Sequence, residues 1–124
     1  MKPGDTFLVD LGLGQHLHVV LSHPLDNDYF IVVMISTYNE CHKNNTCILR
    51  PTDGHPFIKH LSYVAYHTAT LLRESDLAKL RWKEQPPFSN SVLSRILKGT
   101  SSNNSDLPNK FWIILDDQGL IPVD

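Results

Sequence analysis

The fold is decided by three runs of sequence: Thr6-Phe7-Leu8-Val9-Asp10-Leu11, Leu17-His18-Val19-Val20-Leu21 and Tyr29-Phe30-Ile31-Val32-Val33-Met34-Ile35. Each run is mostly apolar, and each is followed within a few residues by glycine, proline or asparagine. Short apolar runs that stop at turn-forming residues are typical of β-strands. Two later segments, Cys47–Leu49 and Ser62–Leu72, have the same character. About five strands at this spacing predict a small β-barrel or sandwich.

Helical signals replace strand signals after this region. Ser75 or Asp76 is expected to cap a short helical turn that runs to Leu80. An amphipathic helix is predicted over Ser91–Lys98, because apolar residues recur there at helical spacing and Gly99 follows as a stop signal. This helix is expected to pack against the barrel.

The last apolar run, Phe111–Leu115, is compatible with two structures. It is either a buried strand that forms a hairpin with Leu120–Val123 or the end of a helix. Taken together, the patterns predict a single domain that is mainly β. Its barrel spans roughly residues 3–72, and a helical, C-terminal portion spans roughly residues 73–124.

Composition narrows the class of protein. The chain has 124 residues, of which 41% are hydrophobic, so it is long enough to bury a core of its own. Its longest apolar run is far shorter than the ~20 residues that cross a bilayer, and its N-terminus lacks the apolar core of a signal peptide. We therefore expect a soluble, cytoplasmic protein with no membrane partner, in which Cys41 and Cys47 are free thiols.

The charge balance limits any role in nucleic-acid binding. A formal net charge of −2 is unusual for a protein held mainly by phosphate contacts, so RNA binding would have to be local. The chain also has seven histidines, a residue type whose unperturbed pKa of about 6.5 suits proton transfer near neutrality. His16 and His18 follow the Gly14 turn and face one side if the segment is extended.

The order of several short motifs resembles the MazF/PemK toxins of type II toxin–antitoxin systems. The motifs are Gly4-Asp5, Val9-Asp10, the Gly14 turn leading into Val19-Val20-Leu21-Ser22, Ile35-Ser36-Thr37 and Ser62-Tyr63-Val64. They lie within roughly residues 3 to 72, and His55-Pro56-Phe57-Ile58 is similar to a divergent branch of the same family.

The resemblance implies an SH3-like β-barrel with packed helices that forms a homodimer. It also implies a metal-independent endoribonuclease that uses no cofactor, cuts single-stranded RNA and is neutralised by a cognate antitoxin protein. In that chemistry the 2′-hydroxyl of the RNA attacks the adjacent phosphate. The enzyme must then supply a base, an acid for the leaving 5′-oxygen, and donors for the charge on phosphorus.

The site residues implied by the resemblance lie at strand ends. The family's hydroxyl position corresponds to Ser36 or Thr37, either of which is suited to donate to the scissile phosphate. The family's catalytic arginine follows the glycine turn, where this chain reads Gly14-Gln15-His16-Leu17-His18 and has no arginine. Histidine lacks the permanent charge and planar fork of arginine, but it is suited to act as general base and acid. His16 and His18 are therefore the catalytic candidates.

Three further residues are candidates for RNA binding near this rim. Tyr38 is expected to stack on a splayed base, and stacking contributes about 1 to 3 kcal/mol per base without requiring a basic protein. Lys43 and Lys59 are expected to add local positive charge.

Plainer interpretations stand beside each of these. The pair Ser36-Thr37 also suits a simple turn at a strand end. The segment Cys41–Cys47 offers zinc ligands, but its five-residue gap exceeds the usual spacing and no second cysteine pair follows. In the different-class alternative, the domain is a catalytically inactive SH3-like barrel that binds RNA or a partner protein.

Overall fold

The computed structural model describes residues 1–38, 46–102 and 105–123. The strands in these residues are β1 (Thr6–Asp10), β2 (Gln15–Val20), β3 (Phe30–Thr37), β4 (Ile48–Leu49), β5 (Ser62–Leu72) and β6 (Lys83–Gln85). The helices are α1 (Glu74–Leu77), α2 (Asn90–Gly99) and α3 (Asn109–Asp117), with short 3-10 turns at Asp26–Asp28 and Pro51–Asp53. No helix in the described ranges is long and apolar enough to span a membrane.

The described strands form one antiparallel sheet in the order β4-β5-β3-β2-β1-β6, curled into a half-barrel. A bulge between Val32 and Met34 interrupts the pairing of β3 with β5. Here the backbone N–H of Met34 donates to Thr68 Oγ1 over 2.9 Å, in place of a regular strand contact. Because a bulge bends the strand that carries it, β5 places Tyr66 in one core and Leu72 in another.

The main core lies between one face of the sheet and the two longer helices. Helix α2 presents Val92 and Ile96 to this core, and α3 presents Phe111 and Leu115. Each pair is spaced by four residues, so both members lie on one side of their helix. Full burial of such a side chain is worth about 1.5 to 3 kcal/mol, so the helices are integral to the fold.

A second core covers the opposite face of the sheet. Phe7 and Val9 of β1, Val32 of β3, and Leu77 of α1 belong to it. Strand β3 alternates between the two cores, with Ile31, Val33 and Ile35 in the first. Its burial on both faces explains why its sequence is continuously apolar rather than alternating.

The coarse prediction of a mainly β fold with C-terminal helices is confirmed, and several details differ. Strand β6 was not predicted, because Lys83–Gln85 carries no apolar signal, and it adds a sixth strand from outside the expected barrel range. The alternatives for Phe111–Leu115 resolve to a helix, and the hairpin alternative is wrong.

The predicted cap of the short helical turn is also wrong. Helix α1 begins at Glu74, with Arg73 at the capping position. The Asp76 carboxylate reaches back and accepts from the backbone N–H of Arg73 over 3.1 Å. Asp76 therefore stabilises the start of the helix from its third residue, as in a capping box, rather than by preceding it. Ser75 likewise lies inside the helix.

Candidate functional site

The topology of the sheet gathers three strand ends at one rim. Leu17 of β2 pairs with Ile35 of β3, so the next residues outward, His16 and Ser36, are neighbours on adjacent strands. On the other side of β3, Thr37 pairs with Ser62, the first residue of β5. Directly opposed residues in antiparallel strands share a face, which places the imidazole of His16 and the hydroxyl of Ser36 on the same side.

A cleft of about 400 Å³, here called the rim cleft, opens at this point. It is lined by Gln15, His16, Leu17, Ile35, Ser36, Thr37, Phe57, Ile58, Lys59, His60 and Ser62. Its apolar lining consists of the buried side chains Leu17, Ile35 and Ile58 and the exposed ring of Phe57. None of these lining residues is acidic, so a bound anion meets no fixed negative side chain here.

His16 is half-buried, and one of its ring nitrogens already forms a hydrogen bond. Its Nε2 lies 2.8 Å from the carbonyl oxygen of Leu13. Because a carbonyl only accepts, Nε2 must carry the proton. The lone pair of the neutral ring is then on Nδ1, which is the atom available to accept a proton.

The opposite wall of the rim cleft comes from the segment that leads into β5. Lys59 and His60 are exposed on this wall, and the neighbouring Ile58 is buried. Two hydrogen bonds fix the segment where it meets the sheet. Ser62 Oγ donates to the carbonyl of His60 over 2.9 Å, and the N–H of Tyr38 donates to the carbonyl of Leu61 over 2.9 Å. Lys59 and His60 therefore lie on an anchored backbone.

A buried histidine holds this segment to the far edge of the sheet. His55 Nδ1 accepts from the N–H of Phe57 over 3.1 Å, and His55 Nε2 lies 2.8 Å from the carbonyl oxygen of Pro86. Thr6 Oγ1 donates to the same carbonyl over 2.7 Å. The neutral form of His55 therefore forms a hydrogen bond through each ring nitrogen, as a donor at Nε2 and as an acceptor at Nδ1. Burial lowers the pKa of His55, partly opposed by its bond to Pro86.

His18 is not brought into the rim cleft. Only 3% of it is exposed, and it lines a different cavity together with Leu13, Met34 and His67. Its ring stacks on Phe7, with centroids 5.8 Å apart and planes 9° from parallel.

The hydrogen bonding of His18 connects it to the cleft indirectly. Nδ1 of His18 donates to the carbonyl of His16 over 2.9 Å. Burial lowers the pKa of His18, with an opposing contribution from this hydrogen bond. His18 thus supports the backbone of His16 rather than lining the cleft beside it.

Of the seven predicted site residues, four line the rim cleft: His16, Ser36, Thr37 and Lys59. Tyr38 instead packs edge-on against Tyr63, with ring centroids 6.4 Å apart. Lys43 lies outside the described residues. His60 was missed because nothing in its local sequence distinguishes it from other loop histidines. Its position just before β5 is the only available signal.

Metal ligands do not cluster in residues 1–38, 46–102 and 105–123, where no three histidine, cysteine or acidic side chains are arranged to hold an ion. Cys41 and His42, which the zinc alternative requires, lie outside these ranges. Cys47 is a buried free thiol, as predicted.

The described residues that line the rim cleft offer as donors two imidazoles, one ammonium group, the side-chain amide of Gln15 and the accessible hydroxyls of Ser36 and Thr37. Such a set is suited to binding an anion and moving protons on it. The chain matches no known protein family, and no curated protein is significantly similar to it in sequence.

Proposed function

We propose that the protein is a metal-independent endoribonuclease that cuts single-stranded RNA in the rim cleft. The observation that carries the proposal is the convergence of His16 and His60 on one cleft that also holds Lys59 and, among the described residues that line it, no acidic side chain. Two imidazoles at one anion-binding site can supply the general base and the general acid for phosphate transfer.

The proposed reaction needs no external reactant. His16 Nδ1 accepts the proton of the RNA 2′-hydroxyl as that oxygen attacks the adjacent phosphorus. The bond from phosphorus to the 5′-oxygen breaks, and protonated His60 donates its proton to the leaving oxygen. The products are a 2′,3′-cyclic phosphate and a 5′-hydroxyl end, so atoms and protons balance.

The remaining cleft residues stabilise charge and position the substrate in this proposal. The ammonium of Lys59 and the hydroxyls of Ser36 and Thr37 donate to the non-bridging phosphate oxygens, where negative charge grows in the transition state. Phe57, which is 44% exposed, offers an aromatic face to an unstacked base. An SH3-like barrel of the MazF/PemK type, a homodimer and a cognate antitoxin belong to the same proposal and rest on the sequence resemblance.

The test is cleavage of a long single-stranded RNA in EDTA at roughly pH 5.5 to 8, the range in which imidazoles titrate. We expect cleavage to leave cyclic-phosphate ends, and His16→Ala or His60→Ala to slow it about 10²- to 10⁴-fold, the usual effect of losing a general acid or base. His23→Ala is the matched control, because His23 is exposed and is not among the residues that line the cleft.

The alternative function is distinguished in the same experiment. RNA that is retained in a gel-shift assay but stays intact would identify a binding module without catalysis, and the endonuclease proposal would be abandoned. If RNA were neither bound nor cut, the rim cleft would not be an RNA site.

A further inference from the structure

A second cavity, here called the basic pocket, lies between β4 and the C-terminal half of α2. It has a volume of about 720 Å³. It is lined by Thr46, Cys47, Ile48, Arg50, Arg95, Lys98, Gly99, Ser101, Ser102 and Pro122. None of these residues lines the rim cleft, so the basic pocket is a separate feature of the molecule.

The lining of the basic pocket is strongly unbalanced in charge. Among the described residues, its lining includes Arg50, Arg95 and Lys98 but no acidic residue, although the whole chain carries a net charge of −2. Asp53, next to the pocket, pairs with Arg95 and offsets one positive charge. The C-terminus of α2 contributes a partial charge of roughly −0.5. The balance remains positive after both are counted, even when Lys98 is left out of the sum.

Arg95 is held in a fixed orientation at this pocket. Its Nη1 donates to Asp53 Oδ1 over 2.8 Å, and its Nη2 donates to the carbonyl of Ile48 over 2.6 Å. Asp53 is itself fixed, since its Oδ2 accepts from the backbone N–H of Arg50 over 2.7 Å. The hydrogen bond from Arg95 lowers the pKa of Asp53, which keeps the carboxylate charged and the guanidinium in place.

Donors remain after these bonds are made. Arg95 has five N–H groups, and three of them donate to Asp53 and Ile48. The N–H of Nε and the second N–H of Nη1 form no hydrogen bond to a described residue. The side chain of Arg50 is exposed and forms no ion pair within the described residues. One oriented guanidinium and one adjustable guanidinium, with the hydroxyl of Ser101 in the same lining, suit a tetrahedral oxyanion.

We propose that the basic pocket binds the phosphate group of a nucleoside monophosphate or of an RNA chain. A phosphate accepts several hydrogen bonds at once, which matches the donors present. The volume is in the range of about 300 to 1,000 Å³ that holds organic ligands, so there is room for a nucleoside beside the phosphate. The proposal does not depend on the reaction proposed for the rim cleft.

The experiment is calorimetric titration of the full chain with adenosine 5′-monophosphate at low ionic strength, where charge pairs are least screened. We expect saturable binding in the wild-type protein and a loss of about 10- to 100-fold in affinity for Arg50→Gln, the effect of removing a charged hydrogen bond. Lys79→Gln is the matched control, an exposed cation that is not among the residues lining the pocket. Arg50→Gln removes no ion pair in the described structure, and Arg50 is only the last of the causes that lower the pKa of Asp53, so the melting temperature should stay close to that of the wild type.

A second arm of the experiment identifies the source of the phosphate. A short fluorescent single-stranded RNA is titrated into the same proteins and followed by anisotropy. Weaker RNA binding by Arg50→Gln, without measurable nucleotide binding by the wild type, would assign the pocket to an RNA phosphate. Nucleotide binding that is lost in Arg50→Gln, with RNA binding unchanged, would assign it to a free nucleotide. Equal affinities of wild type and Arg50→Gln for both probes, or no binding of either, would overturn the proposal.

Discussion

Tyr66 of β5 lies directly against Gly99 of α2. The ring of Tyr66 is fully buried, and its Oη donates to the carbonyl of Ile96 over 2.6 Å. Burial raises the pKa of Tyr66, so the phenol stays protonated and continues to donate. A Cβ atom at Gly99 would overlap Tyr66 Oη. Glycine is therefore required for steric reasons, and the stop signal seen in the sequence is in fact the last residue of α2.

We predict that Gly99→Ala destabilises the protein by about 1 to 3 kcal/mol, the usual cost of overpacking a core. This cost opposes the gain of up to ~1 kcal/mol that alanine normally brings to a helix. The measurement is urea-induced unfolding followed by circular dichroism.

A double-mutant cycle with Tyr66→Phe identifies the cause. Removing the hydroxyl makes room for the new methyl group, so Tyr66→Phe should cost less in the Gly99→Ala background than in the wild type. Additive effects of the two substitutions would show that the overlap with Tyr66 is not the source of the destabilisation.

The candidate site was predictable from sequence only in part, and His16, His18 and His60 show why. Strand-end position was enough to place His16 in the rim cleft. The i, i+2 spacing gave His18 the same face, but the ring of Phe7 on the neighbouring strand covers it, and this depends on the register of β1 with β2. His60 reaches the cleft because His55 anchors the preceding loop to Pro86, a contact between residues distant in sequence.

At the scale of elements, one side chain caps the N-terminus of α2. Ser89 precedes the helix and accepts from the N–H of Val92 through Oγ over 3.3 Å. We predict that Ser89→Ala costs about 1 kcal/mol, as N-cap removal usually does. Thermal unfolding measures the change.

Ser94→Ala in the same helix is the control for this prediction. Ser94 is exposed, and alanine is the better helix former, so this variant should be neutral or slightly stabilising. Equal destabilisation by both substitutions would contradict a capping role for Ser89.

Two elements show where sequence patterns stop being informative. The run that forms α3 has β-branched and aromatic residues, yet Phe111 and Leu115 are buried one helical turn apart, and Ile113 between them is 47% exposed. Packing against the main core decides the structure of this run, and its local propensity does not. Strand β6 is polar and is recruited by backbone pairing with β1, from Thr6↔Gln85 to Leu8↔Lys83, so its side chains carry no signal.

At the scale of the whole molecule, two buried histidines link stability to pH. His18 packs in the interior beside β1, and His55 joins the loop before β5 to the edge of the sheet. Burial lowers the pKa of both below the ordinary value of 6.5. The unfolded chain therefore binds more protons than the folded protein in the interval below 6.5, and unfolding is favoured there.

We predict that the free energy of unfolding is constant with respect to these groups above about pH 6.5 and falls as the pH is lowered towards 5. Asp53 adds a separate loss at lower pH, because its pKa is lowered from 3.8 and its stabilising ion pair with Arg95 fails only on protonation. Melting temperatures measured between about pH 5 and 8 isolate the histidine contribution, since free aspartate titrates near 3.9.

His55→Gln is the decisive variant for this dependence. Glutamine does not titrate, and its side-chain oxygen and nitrogen are chemically able to replace the acceptor of Phe57 N–H and the donor to the Pro86 carbonyl. The variant should lose part of the acid sensitivity of the melting temperature, and a further His18→Gln substitution should remove more of it. His23→Gln, at an exposed position, should keep the wild-type profile. If His55→Gln and the double variant also followed the wild-type curve, neither buried histidine would be the source of acid instability. His55 joins the wall of the rim cleft to the edge of the sheet through Phe57 and Pro86. In that case this connection would not depend on pH in this range.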